Sequence, residues 1–581
     1  MQALTIPELR QAYLDKTITP QQVIDDCLTR IAEDKESNAW ICVLTEQQLK
    51  SYLDELEHKA IESHPLWGIP FAIKDNIDLA GCPTTAGCPT YSYTPQQHAF
   101  VVARLIAAGA IPLGKTNMDQ FATGLVGTRS PYGAVPCVYD KNYISGGSSS
   151  GSAYAVATGQ VAFSLGTDTA GSGRVPAAFN GLIGVKPTRG LISCSGVVPA
   201  CKSLDCVSLF CHDLQDANAL LEVTAVLDEQ DSYGRQREFY GISDRPFKIG
   251  IPTPEQCYFL NDEYRCLFES AANKFTGKGM ELVEVDFSPF TAAAKLLYQG
   301  PWVAERYHAV GEFIEEHITE VDESVATIIR GAKAITGKRA FDGFYQLQAL
   351  QRETAKIMAQ VDAMLIPTAP TQFTMAEIAE NPILNNTELG YYTNFMNLLD
   401  YAALAIPAGT TLNKLAFGIT LFGPAQSDVL LQNIAAQVLE QPLVVNPRQI
   451  QPEKIPVAVC GAHLQGMPLN WQLTDRHATL LNSTTTAPCY EFYALAGGPP
   501  YRPGVKRVAE GGQAIAVEVW QMPAKYFGSF VAGIPAPLGI GKVELADGSW
   551  VPGFICEPYG LDDAEDITAL GNWRRYIETL S

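Results

Sequence analysis

Residues 146–174 read GGSSSGSAYAVATGQVAFSLGTDTAGSGR, and this segment is the most informative part of the sequence. Two glycine-serine clusters, at 146–152 and 168–174, enclose the apolar segment 153–165. That segment predicts a buried helix followed by a strand, so both clusters lie on tight turns at the edge of a packed core. A flexible, solvated glycine-serine linker would not contain such a hydrophobic element. We therefore expect serine chemistry at these two turns.

The sequence around the clusters alternates between short apolar runs and helical stretches. Strand-like runs occur at residues 69–73, 111–114, 161–165 and 181–185, and residues 99–108 are typical of a helix. This alternation predicts an α/β fold in which a sheet is flanked by helices. The first 60 residues or so predict amphipathic helices laid on this body, with Thr19 as an N-cap before Pro20.

The tail of the chain has a different character. A polar, proline-bearing stretch at 446–456 precedes it, and runs such as 515–520 and 543–545 then alternate with glycine and proline turns. We therefore predict a boundary near residue 450, a first domain over residues 1–450, and a smaller β-rich α+β domain over residues 455–581.

Composition excludes several classes of function. The chain has 581 residues, of which 47% are hydrophobic and 18% charged, enough to bury a large core in more than one domain. Its net charge of -21 disfavours nucleic acid and anionic membranes. Neither a leader nor a long apolar span is evident, so we expect a cytoplasmic protein. The 14 cysteines form no C-x-x-C pair, which argues against a metal site or a disulfide framework.

A serine hydroxyl needs a neighbouring base before it can act as a nucleophile. Residues 147–151 formally match the G-x-S-x-G elbow of α/β-hydrolases, which requires a downstream acid and histidine. None of the downstream histidines lies in a convincing loop at a strand end, which makes this alternative weak. A P-loop is excluded because no G-K-[ST] follows either glycine run.

A neutral lysine is the other base that can activate serine, and Lys74 is the candidate. It ends the apolar run 69–73, where loss of solvation favours the uncharged amine. The alternative is an ordinary lysine at a strand end that points into water.

Lys74, the GGSSSGS run and the segment DTAGSGRVPAA at 168–178 together resemble the amidase signature family. The spacing of Ser148 and Ser172 matches that of the two serines in the family's Ser-cisSer-Lys triad. The segments GKTNMDQFA at 114–122 and GVKPTRG at 184–190 also follow the family. The resemblance covers roughly the first 440 residues and implies a mixed β-sheet core flanked by helices.

The resemblance assigns roles to the matching positions. It implies that Ser172 is the nucleophile, that Ser148, next to a cis peptide bond, is the bridging serine, and that Lys74 is the base. It also implies that Gly124 contacts the substrate. Three residues before the nucleophile correspond to the oxyanion hole, where main-chain amides stabilise a tetrahedral intermediate; they are Thr169, Ala170 and Gly171.

Substrate choice depends on residues outside the triad. Tyr298 and Arg306 are spaced about two helical turns apart and could grip a carboxylate together. The alternative is a surface arginine beside a core tyrosine. This segment, and the segment 392–400 in which Asp400 replaces a common glycine, resemble the allophanate hydrolases. A basic grip in an acidic protein predicts a small anionic amide as substrate.

The tail supports the same resemblance. Segments GAHL at 461–464 and VEVWQMP at 517–523 resemble the C-terminal domain of allophanate hydrolases, which is similar to γ-glutamylcyclotransferase-like proteins. The resemblance implies that allophanate is hydrolysed to ammonia and carbon dioxide through N-carboxycarbamate, in urea degradation and without a cofactor. His463 is the candidate for chemistry in the tail; a structural histidine is the alternative.

The resemblance also implies partners, and alternatives stay open. The sequence has no biotin-attachment M-K-M run, so we expect a separate biotin-dependent urea carboxylase to supply allophanate. A homodimer is expected from the resemblance. The rival functions are the amidase subunit of a glutamine-dependent amidotransferase, a general small-amide amidase, and a non-catalytic scaffold that kept the fold.

Overall fold

The structure is a computed structural model that describes residues 4–237, 245–443 and 454–580. Two compact units account for the described chain, one formed by the residues up to 443 and the other by those from 454 onward. The boundary expected near residue 450 lies outside the described residues. Each unit is built around its own hydrophobic core.

The first unit is organised around an eleven-stranded sheet within the described residues. Its strands are β1 (Trp40–Val43), β2 (Pro70–Lys74), β3 (Ile111–Thr116), β4 (Phe163–Asp168), β5 (Ile183–Lys186), β6 (Cys206–Cys211), β7 (Lys248–Pro252), β8 (Glu281–Val285), β9 (Ala363–Pro367), β10 (Tyr401–Thr410) and β11 (Ala416–Pro424). The strand order is β1-β3-β2-β4-β6-β5-β10-β11-β9-β7-β8. Strand β2 runs parallel to β3 and β4, whereas β4 and β6 are antiparallel, which confirms the mixed sheet.

Helices surround this sheet, and their bounds follow in chain order. They are α1 (Ile6–Leu14), α2 (Pro20–Glu33), α3 (Glu46–Leu56), α4 (Phe100–Ala107), α5 (Ser150–Ala157), α6 (Val175–Phe179), α7 (Leu214–Thr224), α8 (Asp262–Gly277), α9 (Ser288–Gln299), α10 (Val303–Glu316), α11 (Glu323–Arg330), α12 (Gly337–Met358), α13 (Met375–Glu380), α14 (Leu384–Leu389) and α15 (Asp428–Leu439). The predicted cap at Thr19 is present, because its side chain and that of Gln22 form a reciprocal capping box at the start of α2.

Strands β2, β3 and β4 extend further at their C-terminal ends than their apolar runs predict. The sequence predicts a strand at 161–165, but β4 begins at Phe163 and continues through Thr167 to Asp168. Strands β2 and β3 likewise end on Lys74 and Thr116, and every residue of these three strands is buried. Polar residues are tolerated here because they hydrogen-bond to one another at the ends of neighbouring strands. A reading based on apolar runs alone therefore ends these strands too early.

The second unit is rich in β-structure, as the tail sequence predicts. Its strands are β12 (Lys454–Val459), β13 (Thr479–Thr485), β14 (Tyr490–Ala494), β15 (Pro503–Arg507), β16 (Ala516–Pro523), β17 (Leu538–Glu544), β18 (Trp550–Cys556) and β19 (Glu565–Asp566). They form a five-stranded sheet, β13-β16-β12-β18-β17, and a three-stranded sheet, β15-β14-β19. The helices α16 (Trp471–Thr474), α17 (Ala524–Ala532) and α18 (Trp573–Thr579) complete the unit. The core includes Tyr490, Phe492 and Trp573.

The helices of both units are short or amphipathic. Within the described residues, none of them is long and apolar enough to cross a bilayer.

Candidate active site

Lys74 ends strand β2 in the interior of the first unit, and its side chain is completely buried. Its Nζ lies 2.7 Å from Ser148 Oγ and 2.7 Å from Thr167 Oγ1. Burial removes water from the ammonium form and lowers the pKa of Lys74 to about 7, although the charge of Asp119 opposes this shift. The lysine predicted to be a desolvated base is therefore desolvated and lies against the first serine cluster.

The turn that carries Ser148 is hydrogen-bonded to the loop after β3 and, through the next residue, to strand β4. The peptide bond between Gly147 and Ser148 is cis. The Ser148 carbonyl accepts a hydrogen bond from the main-chain N–H of Asp119 at 3.1 Å. Ser149, the next residue, bonds both main-chain groups of Thr167: its Oγ donates to the carbonyl at 3.2 Å and accepts from the N–H at 3.3 Å. Ser149 is the central serine of the G-x-S-x-G match, so a hydrolase elbow is wrong because that hydroxyl is occupied structurally.

The turn that carries Ser172 is held by a buried ion pair. Arg174 contacts Asp168 through two bonds, Nε to Oδ2 at 2.9 Å and Nη2 to Oδ1 at 3.0 Å, and both side chains are fully buried. The same carboxylate accepts the main-chain N–H groups of Gly171 and Gly173. Ser172 Oγ donates to the Gly124 carbonyl at 3.4 Å. Gly124 is thus next to the second serine cluster, in contact with the expected nucleophile.

The three residues expected to form the oxyanion hole occupy the same tight turn. Thr169 Oγ1 donates to the Asp205 carboxylate at 2.5 Å, and burial raises the pKa of Asp205 to about 6. The Gly171 N–H already donates to Asp168 at 2.9 Å. Gly171 has a φ of +129°, and a Cβ placed there would lie 2.5 Å from Thr393 Oγ1. The backbone conformation and the close neighbour both require glycine at this position.

Tyr298 and Arg306 meet in space, but not as the sequence predicts. The expectation of two positions on one helix is wrong, because α9 ends at Gln299 and α10 begins at Val303. The residues Gly300 and Pro301 lie in the break, where proline and glycine interrupt a helix. Even so, Arg306 Nη2 lies 3.4 Å from the Tyr298 hydroxyl, and its guanidinium carbon lies 5.3 Å from the centre of the Tyr298 ring.

Arg306 is connected to the serine site through one short segment. It is 1% exposed, and its Nη1 donates to Thr123 Oγ1 at 3.0 Å. Thr123 precedes Gly124, whose carbonyl accepts the Ser172 hydroxyl. In the described parts of the chain the two fully buried ion pairs are Lys115 with Asp75 and Arg174 with Asp168, so Arg306 belongs to neither. A surface arginine beside a core tyrosine is therefore the wrong reading of this pair.

Asp400 stands where the family resemblance expects glycine, and its backbone has the conformation that glycine favours. Its φ is +59°. The carboxylate pairs with Arg235 at 2.7 Å and with Arg189 at 3.6 Å, which ties the segment 392–400 to two other parts of the first unit. The aspartate thus has a structural partner for each of its oxygens.

His463 lies in the second unit beside a cavity of about 350 Å³. Its Nε2 is 2.9 Å from Gln472 Oε1, and its ring stacks on Phe554 with ring centres 5.0 Å apart. Burial lowers the pKa of His463 below its usual value. Arg502 also lines the cavity. A neutral imidazole and a guanidinium at one cavity are able to hold a small anion, so both the structural and the chemical reading of His463 fit its surroundings.

Several residues that shape the site are not prominent in the sequence. Besides Thr167 and Asp205, Asn397 donates to the carbonyls of Asp168 and Leu204, and the Asp119 carboxylate accepts main-chain N–H groups from the loop that follows it. They are uncharged or acidic residues that lie among mainly apolar residues in the sequence. A buried polar residue at a strand end is the signal that could have identified Thr167.

The fold and site together define a class: a buried lysine bonded to the serine of a cis Gly-Ser turn, within a mixed sheet flanked by helices. Residues 22–431 match the Amidase family model, so the chain belongs to the amidase family. Residues 455–578 match the family model described as allophanate hydrolase C-terminal domain.

Individual relatives agree with this assignment. Urea amidolyase from Lachancea kluyveri is 43% identical over 97% of this chain and 32% of its own length, so the chain spans about a third of that relative. A glutamyl-tRNA(Gln) amidotransferase subunit from Koribacter versatilis is 30% identical over 75% of this chain and 98% of its own length. The solved structure of Kluyveromyces lactis allophanate hydrolase is 41% identical, has a TM-score of 0.74, and is matched over 100% of this chain and 99% of its own.

Proposed function

We propose that this chain hydrolyses allophanate, with ammonia and carbon dioxide as the overall products, in urea degradation. The observation that carries the proposal is the buried guanidinium of Arg306, which is linked through Thr123 and Gly124 to the Ser172 hydroxyl. A buried cation near a nucleophile favours a small substrate that carries its own anionic group. The similarity to an allophanate hydrolase and to urea amidolyases supports the same substrate.

Amide cleavage begins with a proton relay. The Ser172 hydroxyl leaves the Gly124 carbonyl and donates its proton toward Ser148, while Ser148 passes its own proton to the neutral amine of Lys74. The oxygen of Ser172 then attacks the amide carbon. Reversal of the relay delivers a proton to the departing nitrogen, so the same three groups act first as a general base and then as a general acid. Water cleaves the acyl-enzyme by the same route.

The negative oxygen of the tetrahedral intermediate needs hydrogen-bond donors. We assign these to the main-chain amides of Thr169, Ala170 and Gly171, with the Gly171 N–H exchanging its bond to Asp168 for the oxyanion. Such a donor contributes roughly 10²- to 10³-fold in rate. The carboxylate of the substrate is held by Arg306 and by the Tyr298 hydroxyl.

We assign the second stage of the reaction, the decarboxylation that follows amide hydrolysis, to the second unit. Amide hydrolysis of allophanate releases ammonia and leaves N-carboxycarbamate. Loss of one carboxylate as carbon dioxide then leaves carbamate, which breaks down to a further ammonia and a second carbon dioxide. We place this step at the cavity beside His463 and Arg502.

The test is ammonia release by the purified chain on allophanate, biuret, malonamate and glutamine. We expect allophanate to be preferred, Ser172→Ala to lose more than about 10³-fold of the rate, and Arg306→Ala to lose the anionic substrates selectively. Arg330→Ala, a change at an exposed ion pair, is the control and should behave as the parent does. Turnover of uncharged amides that is indifferent to Arg306 would refute the substrate while leaving the serine chemistry.

A role within a glutamine-dependent amidotransferase is the second candidate, favoured by the similarity to the Koribacter versatilis protein. It predicts glutamine as the preferred ammonia source and stimulation by partner subunits. Preference for glutamine in the same assay would select it.

We further propose that the chain is a cytoplasmic homodimer and that a separate biotin-dependent urea carboxylase supplies its substrate. Sedimentation of the purified chain tests the dimer. Addition of a biotin-dependent carboxylase with urea, ATP and bicarbonate tests the supply, because ammonia should then form from urea only when both proteins are present.

A further inference from the structure

Lys74 has a second hydroxyl partner besides Ser148, and the relay described above gives it no role. Thr167 Oγ1 lies 2.7 Å from Lys74 Nζ, the same distance as Ser148 Oγ. We propose that Thr167 is a positioning residue that turns the lone pair of the neutral Lys74 amine toward Ser148. This inference deepens the proposed function and rests on it.

The hydrogen-bond inventory around Thr167 supports this role. A neutral amine has two N–H groups and one lone pair, and it acts as a base only when the lone pair faces the hydroxyl that gives up its proton. Asn76 Nδ2 approaches Thr167 Oγ1 at 3.4 Å and can only donate. The Thr167 oxygen therefore faces two donors, one from Asn76 and one from Lys74. With one N–H of Lys74 bound there, the lone pair is free to face Ser148.

Strand pairing and main-chain hydrogen bonds hold Thr167, Lys74 and the Ser148 turn in place. Thr167 is in β4, paired with Val207 on one side, while β4 pairs with β2 two residues earlier, Leu165 beside Ile73. Ser149 bonds both the N–H and the carbonyl of Thr167, which fixes the Ser148 turn to the same strand. Thr167 and Lys74 thus lie on adjacent strands of one sheet, and Ser148 lies on a turn that is hydrogen-bonded to one of those strands, as precise positioning requires.

Thr167 also affects the charged form of the base. The other charged groups that act on Lys74 remain in every Thr167 variant; Asp119, Asp168 and Asp205 raise its pKa and Arg306 lowers it. After proton transfer Lys74 is an ammonium in a buried site, and the Thr167 oxygen accepts one of its N–H groups. A hydrogen bond to the charged form favours that form. Removal of the Thr167 oxygen should therefore lower the pKa of Lys74 below its value of about 7. Since kcat/KM depends on the neutral amine, its acidic limb should move to lower pH.

Thr167→Val removes the oxygen and keeps the shape, and Thr167→Ser keeps the oxygen. We expect Thr167→Val to lower the maximal kcat about 10- to 100-fold and to move the acidic limb of kcat/KM down by about one pH unit. Thr167→Ser should restore both. Thr116→Val is the matched control: Thr116 is beside Lys74 on β3 and equally buried, but its hydroxyl bonds Ser152. It should leave the limb in place.

An unmoved limb, with a loss of rate no larger than that of Thr116→Val, would overturn the inference. If Thr167→Val does not fold, Thr167→Cys serves instead, because its thiol is a weak acceptor of similar size. Ser172→Ala and Lys74→Met are run in parallel. If they retain activity, the proposed function fails; if they lose it while Thr167 variants keep the parental pH profile, only the positioning role fails.

Discussion

At the scale of single residues, the site depends on the burial of side chains as well as on the chemical groups that they carry. Lys74 is suited to act as a base because its side chain is completely buried, and burial lowers its pKa to about 7. Its position at the end of an apolar run made this predictable from the sequence. Thr167 was not predictable, because its role depends on which strand lies beside β2, and that pairing joins residues 93 positions apart.

Gly171 offers a sharp test at this scale. Gly171→Ala should lower kcat/KM by about 10²-fold or more, because the added methyl meets Thr393 and shifts the oxyanion turn. Gly279→Ala is the control, since Gly279 also has a left-handed φ, +81°, but open space around its Cβ position. It should cost about 1 kcal/mol of stability and no activity. Equal loss of activity in both variants would contradict the assignment of the turn.

At the scale of elements, the segment from β4 to α6 holds several residues of the site. Thr167 lies near the end of β4, and Ser172 lies on the turn between β4 and α6. The ion pair of Asp168 and Arg174 holds that turn. The sequence predicted the strand and the turn from the apolar run and the glycines. It did not predict that the aspartate and the arginine bind each other, because a local charge pattern does not reveal which side chains are buried together.

Asp168→Asn tests this element. Burial raises the pKa of a carboxyl, but the Arg174 guanidinium and the main-chain donors outweigh it, so the pKa of Asp168 lies below its usual value. Its contribution is therefore complete above the ordinary aspartate pKa and is lost as pH falls through the lower folded value. We expect Asp168→Asn to lower the free energy of unfolding of the first unit by about 3–5 kcal/mol at pH 7. Urea unfolding measures this, and the difference in unfolding free energy between the variant and the parent should become smaller as the pH falls.

Glu315→Gln is the control for that measurement, because it changes an exposed carboxylate paired with Arg330 and Lys333. Exposed pairs contribute little, so its unfolding curve should match that of the parent. A similar effect from both variants would show that burial does not set the strength of the Asp168 pair.

At the scale of the whole molecule, two units with separate cores divide the proposed chemistry between them. We expect His463→Asn to leave the first release of ammonia unchanged and to slow carbon dioxide release about tenfold or more. His477→Asn, in the same unit and with its ring tilted against Tyr526, is the control. Simultaneous recording of ammonia and carbon dioxide checks this. An unchanged ratio of the two in His463→Asn would leave that histidine a structural residue.

The α/β class, the β-rich tail, the two serine turns and the candidate Lys74 follow from the sequence, because glycine turns and apolar runs are local patterns that strand and turn geometry requires. The choice of Ser148 and Ser172 within those turns came from the family resemblance. Two features are visible only in the folded chain. The helices α9 and α10 are separate and still bring Tyr298 to Arg306, and Thr167 reaches Lys74. These contacts join distant segments through sheet order and helix packing, which local patterns in the sequence do not encode.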